Sequence, residues 1–298
     1  MENKVCIHTI ENGEIRVSIS TLGAEVCGIY GKDNGIAYLK RPGGPFWSGS
    51  SPILFPINGR LWEGKTEVDG KTYEMGTHGF ARRMVFDVAE KASDHIVLTL
   101  RDTEQTYNTA YPYHFLLKVT YTVVASTLTT QVSVKNTDKK AMPFTIGFHP
   151  GFRVPLTENE AFEDYYLEFR TPCDPQCWVL SERYFLTHET KPYPLENRQT
   201  LPLRHDLFDN DAVFLENVSD TVTLRSKTSP HAVEVSYKGF PTVGFWHTPK
   251  AEADFVCIEP WCGQPDYDSE PTSLMDKSRM FILEPSSEKS FSYDITVR

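Results

Sequence analysis

The chain has 298 residues, a formal net charge of -10 at neutral pH, 40% hydrophobic residues and 23% charged residues. This composition is typical of a protein that folds around a core and excludes the low-hydrophobicity, high-charge class of disordered chains. No run of lysines or arginines could follow a phosphodiester backbone, so the acidic balance argues against nucleic acid as a partner.

The sequence shows no signal for export or membrane insertion. The first residues, MENKVCIHTI, lack the pattern of a signal peptide, and no apolar run approaches the roughly 18 residues of a membrane span. We therefore expect a cytoplasmic protein without a membrane partner. Its oligomeric state, monomer or homodimer, stays open.

Cysteines and histidines give no strong metal signal. The six cysteines are interpreted as free thiols, because the pairs in CDPQC (173–177) and CIEPWC (257–262) are far apart and lack the tight spacing of zinc knuckles. No two histidines have the i, i+2 or i, i+4 spacing of metal ligands, and no glycine-rich phosphate loop is present. We predict neither a metal nor a cofactor.

Alternation of apolar and polar residues dominates the chain from its start. EIRVSIS (14–20) is the first such run, and the pattern returns in HIVLTL (95–100), LKVTYTV (117–123) and LTTQVSVKN (128–136), then in TVTLRS, HAVEVSYKG and the final FSYDITV. Period-two alternation predicts half-buried strands, and the glycine, proline and Asx clusters between the runs predict turns.

Helical periodicity is nearly absent. Only LSERYFLTH (180–188) and PTSLMDKS (271–278) are predicted as short helices, and no linker or repeat divides the chain. The predicted fold class is therefore all-β: one large antiparallel β-sandwich domain over residues 1–298, with function carried by its loops.

Four stretches depart from the strand pattern and are rich in groups that transfer protons or bind a polyol. They are FPINGRLWEG (55–64), THGFARR (77–83), IGFHPGF (146–152) and CIEPWCGQPD (257–266). The second is the most unusual, because a histidine, a glycine and two arginines lie within seven residues.

His149 and Glu259 are the candidates for proton transfer. His149 ends an apolar segment and is either a core histidine bound to a carbonyl or a functional group at a strand edge. Glu259 interrupts the apolar run FVCI, so it is either a structural ion-pair partner or a carboxyl group whose pKa burial raises toward that of a useful general base.

Polar residues of the other stretches are candidates for substrate binding. Asn58 and Arg60 lie in the turn NGR, where Gly59 frees the backbone, and His78 precedes another glycine. Each of them has the alternative of an ordinary turn or surface residue. The acidic turn HDLFDND ends at Asp211, and the pattern leaves open whether Asp209 or Asp211 faces a site.

These motifs, in this order, resemble those of the aldose 1-epimerase (galactose mutarotase-like) superfamily: NGR, HGFAR, GFHPGF, an aspartate before an apolar strand, and IEPWCGQPD. The resemblance implies a β-sandwich enzyme that interconverts the anomers of a sugar without a cofactor. It also implies that His149 is the general acid and Glu259 the general base. His78 and Arg60 would bind and polarise the sugar, while Asp211 would anchor its hydroxyl groups.

Two departures bear on the substrate. HGFARR and GFHPGF resemble the LacX-type and hexose-6-phosphate epimerase branches more than the galactose mutarotases of the Leloir pathway. By this resemblance Arg82 is a candidate ligand for a phosphate or a hydroxyl group, whereas Arg83 is interpreted as a surface charge. A free hexose is the leading substrate, and a hexose 6-phosphate or a non-catalytic carbohydrate-binding role are the alternatives.

Overall fold

The computed structural model describes residues 4–298, which form a succession of mostly short strands. The first twelve are β1 (Ile7–Glu11), β2 (Ile15–Ser20), β3 (Val26–Gly31), β4 (Ile53–Leu54), β5 (Lys65–Val68), β6 (Lys71–Glu74), β7 (Asp87–Lys91), β8 (His95–Arg101), β9 (Phe115–Val124), β10 (Thr127–Asn136), β11 (Met142–Phe144) and β12 (Gly147–Phe148). The remaining twelve are β13 (Gly151–Arg153), β14 (Tyr165–Phe169), β15 (Gln176–Leu180), β16 (Leu186–Pro192), β17 (Thr200–Pro202), β18 (Val213–Glu216), β19 (Thr221–Ser226), β20 (Ala232–Ser236), β21 (Thr242–Trp246), β22 (Phe255–Trp261), β23 (Phe281–Leu283) and β24 (Glu288–Val297).

Two large antiparallel sheets hold most of these strands. A nine-stranded sheet has the order β17-β14-β19-β20-β24-β10-β9-β8-β7. An eight-stranded sheet has the order β16-β15-β18-β21-β22-β12-β4, with β13 also pairing with β22. Smaller sheets are formed by β1-β2-β3, β11-β23 and β5-β6. The predicted all-β class is confirmed.

The two large sheets pack against each other through their apolar faces. Phe148 of β12 lies 4.4 Å (ring centroids) from Tyr293 of β24, and Phe169 of β14 lies 6.0 Å from Phe245 of β21. The alternating positions of the predicted strands are buried in this core, as Ile96, Leu98 and Leu100 of β8 illustrate. Burial of one face of each sheet explains why alternation predicted the strands well.

Strand β22 is an exception, because all seven of its residues are buried. Val256 and Ile258 belong to the core between the sheets. Cys257, Glu259 and Trp261 alternate with them and therefore point to the opposite face of the sheet, which loops cover. The candidate site lies on this second face.

Both predicted helices are wrong. Residues 180–188 form the end of β15, a turn and the start of β16, because Leu180 and Leu186 pair across a hairpin and Ser181 N–H donates to the carbonyl of Phe185. Residues 271–278 contain only turns, with Lys277 N–H donating to the carbonyl of Ser273. Tertiary packing has overridden the local pattern in each case.

The α-helix that residues 4–298 do contain, α1 (Glu104–Thr109), was not predicted. Thr103 and Thr106 form a capping box at its start, which satisfies its first backbone donors. Single-turn 3-10 segments occur at Trp62–Gly64, Ala81–Arg83, Phe162–Asp164 and His205–Phe208. Within the described chain, no helix has the length and apolar character needed to cross a membrane.

The glycine of THGFARR lets two backbone segments approach closely. Gly79 has φ +71°, and a Cβ placed on it would lie 2.2 Å from the carbonyl oxygen of Phe55. Phe80 N–H donates to that same oxygen at 3.0 Å, so THGFARR lies directly on the segment FPINGR. The absence of a side chain at Gly79 therefore allows the contact between THGFARR and FPINGR, and both stretches reach the site.

We expect Gly79→Ala to destabilise the fold by more than Gly70→Ala. Gly70 also has positive φ (+73°) but has no neighbouring atom within 4 Å of an added Cβ, so its substitution isolates the backbone strain of about 1–2 kcal/mol. At Gly79 the clash with Phe55 adds to this strain. Urea unfolding of the two variants measures the difference, and equal losses would contradict the close contact.

Candidate functional site

A cavity of about 250 Å³ opens on the loop-covered face of β22. Its walls are formed by Trp47, Gly59, Arg60, Thr77, His78, Arg82, His149, Leu180, Tyr184, Asp211, Ala212, Phe214, Trp246, Glu259, Trp261 and Pro265. Of the seven predicted site residues, all but Asn58 line it. The four selected stretches and the turn of Asp211, all distant in sequence, thus meet at one place.

Sheet register brings His149 and Glu259 together. Gly147 pairs with Trp261 and Gly151 pairs with Cys257, so His149, midway between the glycines, lies opposite Glu259. His149 Nε2 is 3.3 Å from Glu259 Oε1. This contact does not have hydrogen-bond geometry, and within residues 4–298 both His149 Nδ1 and Glu259 Oε1 are buried without a hydrogen-bond partner, so both groups have capacity left for a ligand.

Burial shifts both groups toward their neutral forms. Loss of hydration lowers the pKa of His149 to about 3. Loss of hydration, with repulsion from Asp211 as a smaller cause, raises the pKa of Glu259 well above its ordinary value. Both shifts favour the state in which the pair holds one proton, on Glu259. A group that releases a proton and a group that accepts one face each other in a site shielded from water.

His78 is held as a neutral imidazole in one tautomer. The backbone N–H of Gly59 donates to His78 Nδ1 at 3.1 Å, and the backbone N–H of His78 donates to the carbonyl of Gly59 at 2.8 Å. Burial, together with the nearby charges of His149, Arg82 and Arg60, lowers the pKa of His78 well below its ordinary value. The proton therefore lies on Nε2, which makes His78 a hydrogen-bond donor toward a ligand.

Arg60 and Asp211 form a polar pair on the cavity wall. Arg60 Nη2 lies 4.0 Å from Asp211 Oδ2, and its guanidinium lies 4.9 Å from the ring centre of Tyr184. Asp211 Oδ1 accepts a hydrogen bond from Trp246 Nε1 at 2.9 Å, and burial raises the pKa of its carboxyl. Asp211, rather than Asp209, lines the cavity, which answers the question that the sequence left open.

Arg82 has no carboxylate partner among the ion pairs of the described chain. Its Nη2 donates to the carbonyl of Thr77 at 3.1 Å, and its buried Nε has no partner within residues 4–298. Burial, and then the charge of Arg83, lower the pKa of its guanidinium. Arg83 itself is exposed, as predicted. The carboxylate of Glu25 acts on the pKa of Arg82 in the opposite direction but forms no ion pair with it, so Arg82 places at the cavity a positive charge without a salt bridge among the described residues.

Asn58 lies behind the cavity wall, which does not support the prediction that it contacts a ligand. It is fully buried, and its Oδ1 accepts hydrogen bonds from Gly263 N–H at 2.8 Å and from the hydroxyl of Thr145 at 3.2 Å. The asparagine therefore ties the segment after β22 to the segment before β12. These hydrogen bonds hold together the segments on which His149 and Glu259 lie, while Asn58 Nδ2 is buried without a partner among the described residues.

Aromatic residues form much of the cavity, and the sequence analysis did not select them. Trp47 stacks on His149 (ring centroids 4.8 Å apart), Trp246 meets His149 edge-on at 5.4 Å, and Trp261 meets His78 edge-on at 5.3 Å. Two of them end a strand: Trp246 is the last residue of β21, and Trp261 is the last residue of β22 and lies within the selected stretch CIEPWCGQPD. Such apolar walls with a few polar groups are typical of small-ligand sites.

The donor atoms of His149, Cys257 and Glu259 lie within 4.8 Å of one another, which makes them the group in the described chain that could hold a metal ion. The fit is poor, however. Burial, and then the charge of Glu259, raise the pKa of the Cys257 thiol well above its ordinary value, so the thiolate that zinc requires is disfavoured. The geometry suits proton exchange between His149 and Glu259 better.

A buried ion pair fixes the turn that carries Arg60. The carboxylate of Asp266 pairs with Lys277, and both side chains are almost completely buried. Asp266 also accepts a hydrogen bond from Trp62 N–H at 2.7 Å and donates its own N–H to the carbonyl of Arg60 at 2.9 Å. Leu186 N–H donates to the carbonyl of Asp266 at 3.0 Å, which joins the hairpin of Tyr184 to the same anchor.

Comparison with known proteins finds similar sequences and structures over nearly the whole chain. The sequence profile of the family described as Aldose 1-epimerase matches residues 7–272. The protein LacX (chromosomal) of Lactococcus lactis subsp. lactis is 33% identical over 97% of this chain and 98% of its own length. The crystal structure of a galactose mutarotase related enzyme from Lactobacillus acidophilus has a TM-score of 0.92 and 32% identity over 98% of this chain and 97% of that one.

A second solved structure, a galactose mutarotase-like protein from Lactobacillus casei, has a TM-score of 0.91 and 30% identity, covering 98% of this chain and all of that one. The profile match, the LacX similarity and the two structures agree over nearly the whole chain, and the cavity holds the groups of the resemblance in one place. The chain belongs to the aldose 1-epimerase family.

Proposed function

We propose that the protein interconverts the α and β anomers of a hexose by acid–base ring opening and reclosure. The observation that carries this proposal is the facing pair His149 and Glu259, buried, 3.3 Å apart and each with an unpartnered polar atom among the described residues. A cyclic sugar offers at its anomeric centre a hydroxyl group that can donate and a ring oxygen that can accept. The pair supplies the complementary functions.

The reaction starts when the proton of the pair moves from Glu259 to His149. The Glu259 carboxylate then takes the proton of the anomeric hydroxyl, the C1–O1 bond becomes a carbonyl, the C1–ring oxygen bond breaks, and His149 gives its proton to the ring oxygen. Rotation about the C1–C2 bond presents the other face of the carbonyl, and the same transfers run backward. The pair is neutral while the sugar is open, which is also its resting protonation state.

Three further residues have roles that follow from their chemistry. His78, a neutral donor at Nε2, polarises a sugar oxygen, and Arg60 adds a positive charge beside it. Asp211 accepts hydrogen bonds from sugar hydroxyl groups, since Trp246 occupies only one of its oxygens. The surrounding tryptophans exclude water, so these polar contacts act in a low dielectric.

The second candidate substrate is a hexose 6-phosphate. The specific observation in its favour is Arg82, a partly buried guanidinium with an unpartnered Nε and without a carboxylate in the described ion pairs. An unpaired cation in a cavity is matched by an anionic ligand, and the planar guanidinium suits a phosphate. A free hexose leaves this charge unmatched.

We expect His149→Ala and Glu259→Gln each to slow the catalysed anomer exchange by about a hundredfold or more, because each removes one of the two proton transfers. Polarimetry and NMR saturation transfer measure the exchange. A matched control is the exposed pair of His188 and Glu270, 2.8 Å apart, whose His188→Ala and Glu270→Gln variants should keep wild-type rates. Wild-type exchange in both site variants rules the mechanism out.

The catalysed rate should not be lost as the pH falls through the ordinary titration range of histidine. Activity needs one proton on the pair: a second proton joins only near the His149 pKa of about 3, and the first leaves at the raised pKa of Glu259. The rate should therefore show no acid limb near pH 6.5, the ordinary pKa of histidine, and should fall where the pH rises past the raised pKa of Glu259. Buffer-corrected saturation transfer measures it, and an acid limb near that ordinary value contradicts the assignment.

Arg82→Met distinguishes the two substrates. If Arg82 binds the phosphate, this variant should raise KM for a hexose 6-phosphate about tenfold or more, the usual scale for a charged hydrogen bond. KM for the free hexose should change little. Arg83→Met is the control, because Arg83 is the exposed neighbour with the same charge. Equal effects of Arg82→Met on both sugars would assign the guanidinium to a hydroxyl group instead.

A further inference from the structure

The ammonium group of Lys40 is enclosed by the carbonyl oxygens of the loop 41–49. Its Nζ donates to the carbonyls of Arg41 (2.8 Å), Gly43 (2.8 Å), Trp47 (2.6 Å) and Gly49 (3.2 Å). The residue is only 7% exposed. An ammonium has three N–H donors, so four carbonyls share them and the loop is wrapped around one charge.

No carboxylate of the described residues forms an ion pair with this charge. The lysines that form ion pairs in residues 4–298 are Lys32, Lys140 and Lys277, and Lys40 is not among them. Burial lowers the pKa of Lys40, although the more distant acidic groups Asp254 and Glu25 act in the opposite direction. A buried cation whose direct contacts are backbone carbonyls, without an ion-pair partner, is costly to the fold. A buried charge that destabilises the fold in this way suggests that the loop conformation it imposes has a function.

Few other hydrogen bonds hold the loop. Gly43 N–H donates to the carbonyl of Ser48 at 2.8 Å, and the hydroxyl of Thr248 donates to the carbonyl of Phe46 at 2.6 Å. The segment contains three glycines and two prolines, and it has no helix or strand of its own. The Lys40 ammonium is therefore its main internal tie.

Trp47 is the residue of this loop that reaches the cavity. Its ring stacks on the His149 ring at 4.8 Å with an angle of 29° between the planes. Lys40 Nζ lies 5.5 Å from the ring centre of Trp47, close enough for a cation–π contact. Gly151 leaves room for the indole, because a Cβ there would lie 3.0 Å from its Cζ3 atom.

We propose that Lys40 is a positioning residue: its ammonium is the centre on which the loop 41–49 folds, and through that loop it holds Trp47 over His149. The inference rests on the proposed function, since it assigns the loop as the wall that shields the proton-transferring imidazole. Lys40 does not line the cavity and acts only through Trp47. Without the charge, four carbonyls lose their shared donor and the indole loses its fixed place.

The test compares Lys40→Ala with Lys40→Met. Both variants should lose about tenfold or more in kcat/KM, and hydrogen exchange should accelerate in the loop 41–49 but not in β9 and β10. Added n-propylammonium, which replaces the missing side-chain atoms of the alanine variant, should restore activity and protection there. It should not restore the methionine variant, whose side chain fills the same channel. Lys32→Ala is the control for loss of a partly buried lysine and should change neither readout.

A double-mutant cycle with Trp47→Ala tests the route. If Lys40 acts through Trp47, removal of Lys40 from the Trp47→Ala variant should cost little further activity. The proposal would be overturned by any of three results. The activity losses of the two single variants could multiply in the double variant, hydrogen exchange in the loop 41–49 could stay unchanged in Lys40→Ala, or n-propylammonium could fail to rescue that variant. If the wild-type protein exchanges no anomers, the proposed function fails, whereas loop exchange and its rescue still decide the role of Lys40. Thermal unfolding of both Lys40 variants identifies a global loss of fold, and the methionine variant retains most of the buried side-chain volume.

Discussion

The rest of this molecule depends on one constraint: the carboxyl group of Glu259 lies on β22, a strand whose residues are all buried. Glu259 is 1% exposed and faces away from the core between the two sheets. In that setting the charged form is costly, so the group keeps its proton unless a partner or a ligand compensates the charge. Within residues 4–298 no lysine or arginine forms an ion pair with it, and a neutral histidine lies opposite. Both groups therefore keep a polar atom without a hydrogen-bond partner among the described residues, which a ligand with a donor and an acceptor would satisfy.

Strands and loops divide the work of building this site. The spacing of His149 and Glu259 is set by strand register, which a packed sheet holds rigidly. The remaining polar groups stand on loops, and these loops are themselves anchored by buried charges: Asp266 with Lys277 for the turn of Arg60, and Lys40 for the loop of Trp47. Each anchor puts a charge where apolar packing alone would be cheaper for stability. Their cost is consistent with the precision that proton transfer requires.

Local pattern predicted the strands because one face of each sheet is buried, as in β8, β9 and β10. It failed at 180–188, where a helical spacing of apolar residues is satisfied by pairing across a hairpin instead. The acid–base residues could be selected because a histidine and a glutamate interrupt apolar runs. Trp47 and Lys40 could not, since their importance comes from contacts with His149 and with loop carbonyls that no sequence spacing encodes. Asn58 could not be separated from the residues that line the cavity, because a turn residue beside a site residue has the same sequence pattern whether it lines the cavity or lies behind its wall.

Membership of the aldose 1-epimerase family sets the kind of chemistry, and the charge of the cavity bears on the substrate. Near the proton pair, Arg60 is offset by Asp211 at 4.0 Å, so that wall is close to neutral. Arg82 has no such counterpart among the described ion pairs, and the protein retains a partly buried guanidinium whose hydration is reduced and whose Nε makes no hydrogen bond within residues 4–298. In the proposal that the substrate is a hexose 6-phosphate, the phosphate would offset the desolvation of this guanidinium. A ligand that carries its charge away from the anomeric carbon would offset it without disturbing the neutral pair, which separates recognition from proton transfer within one cavity.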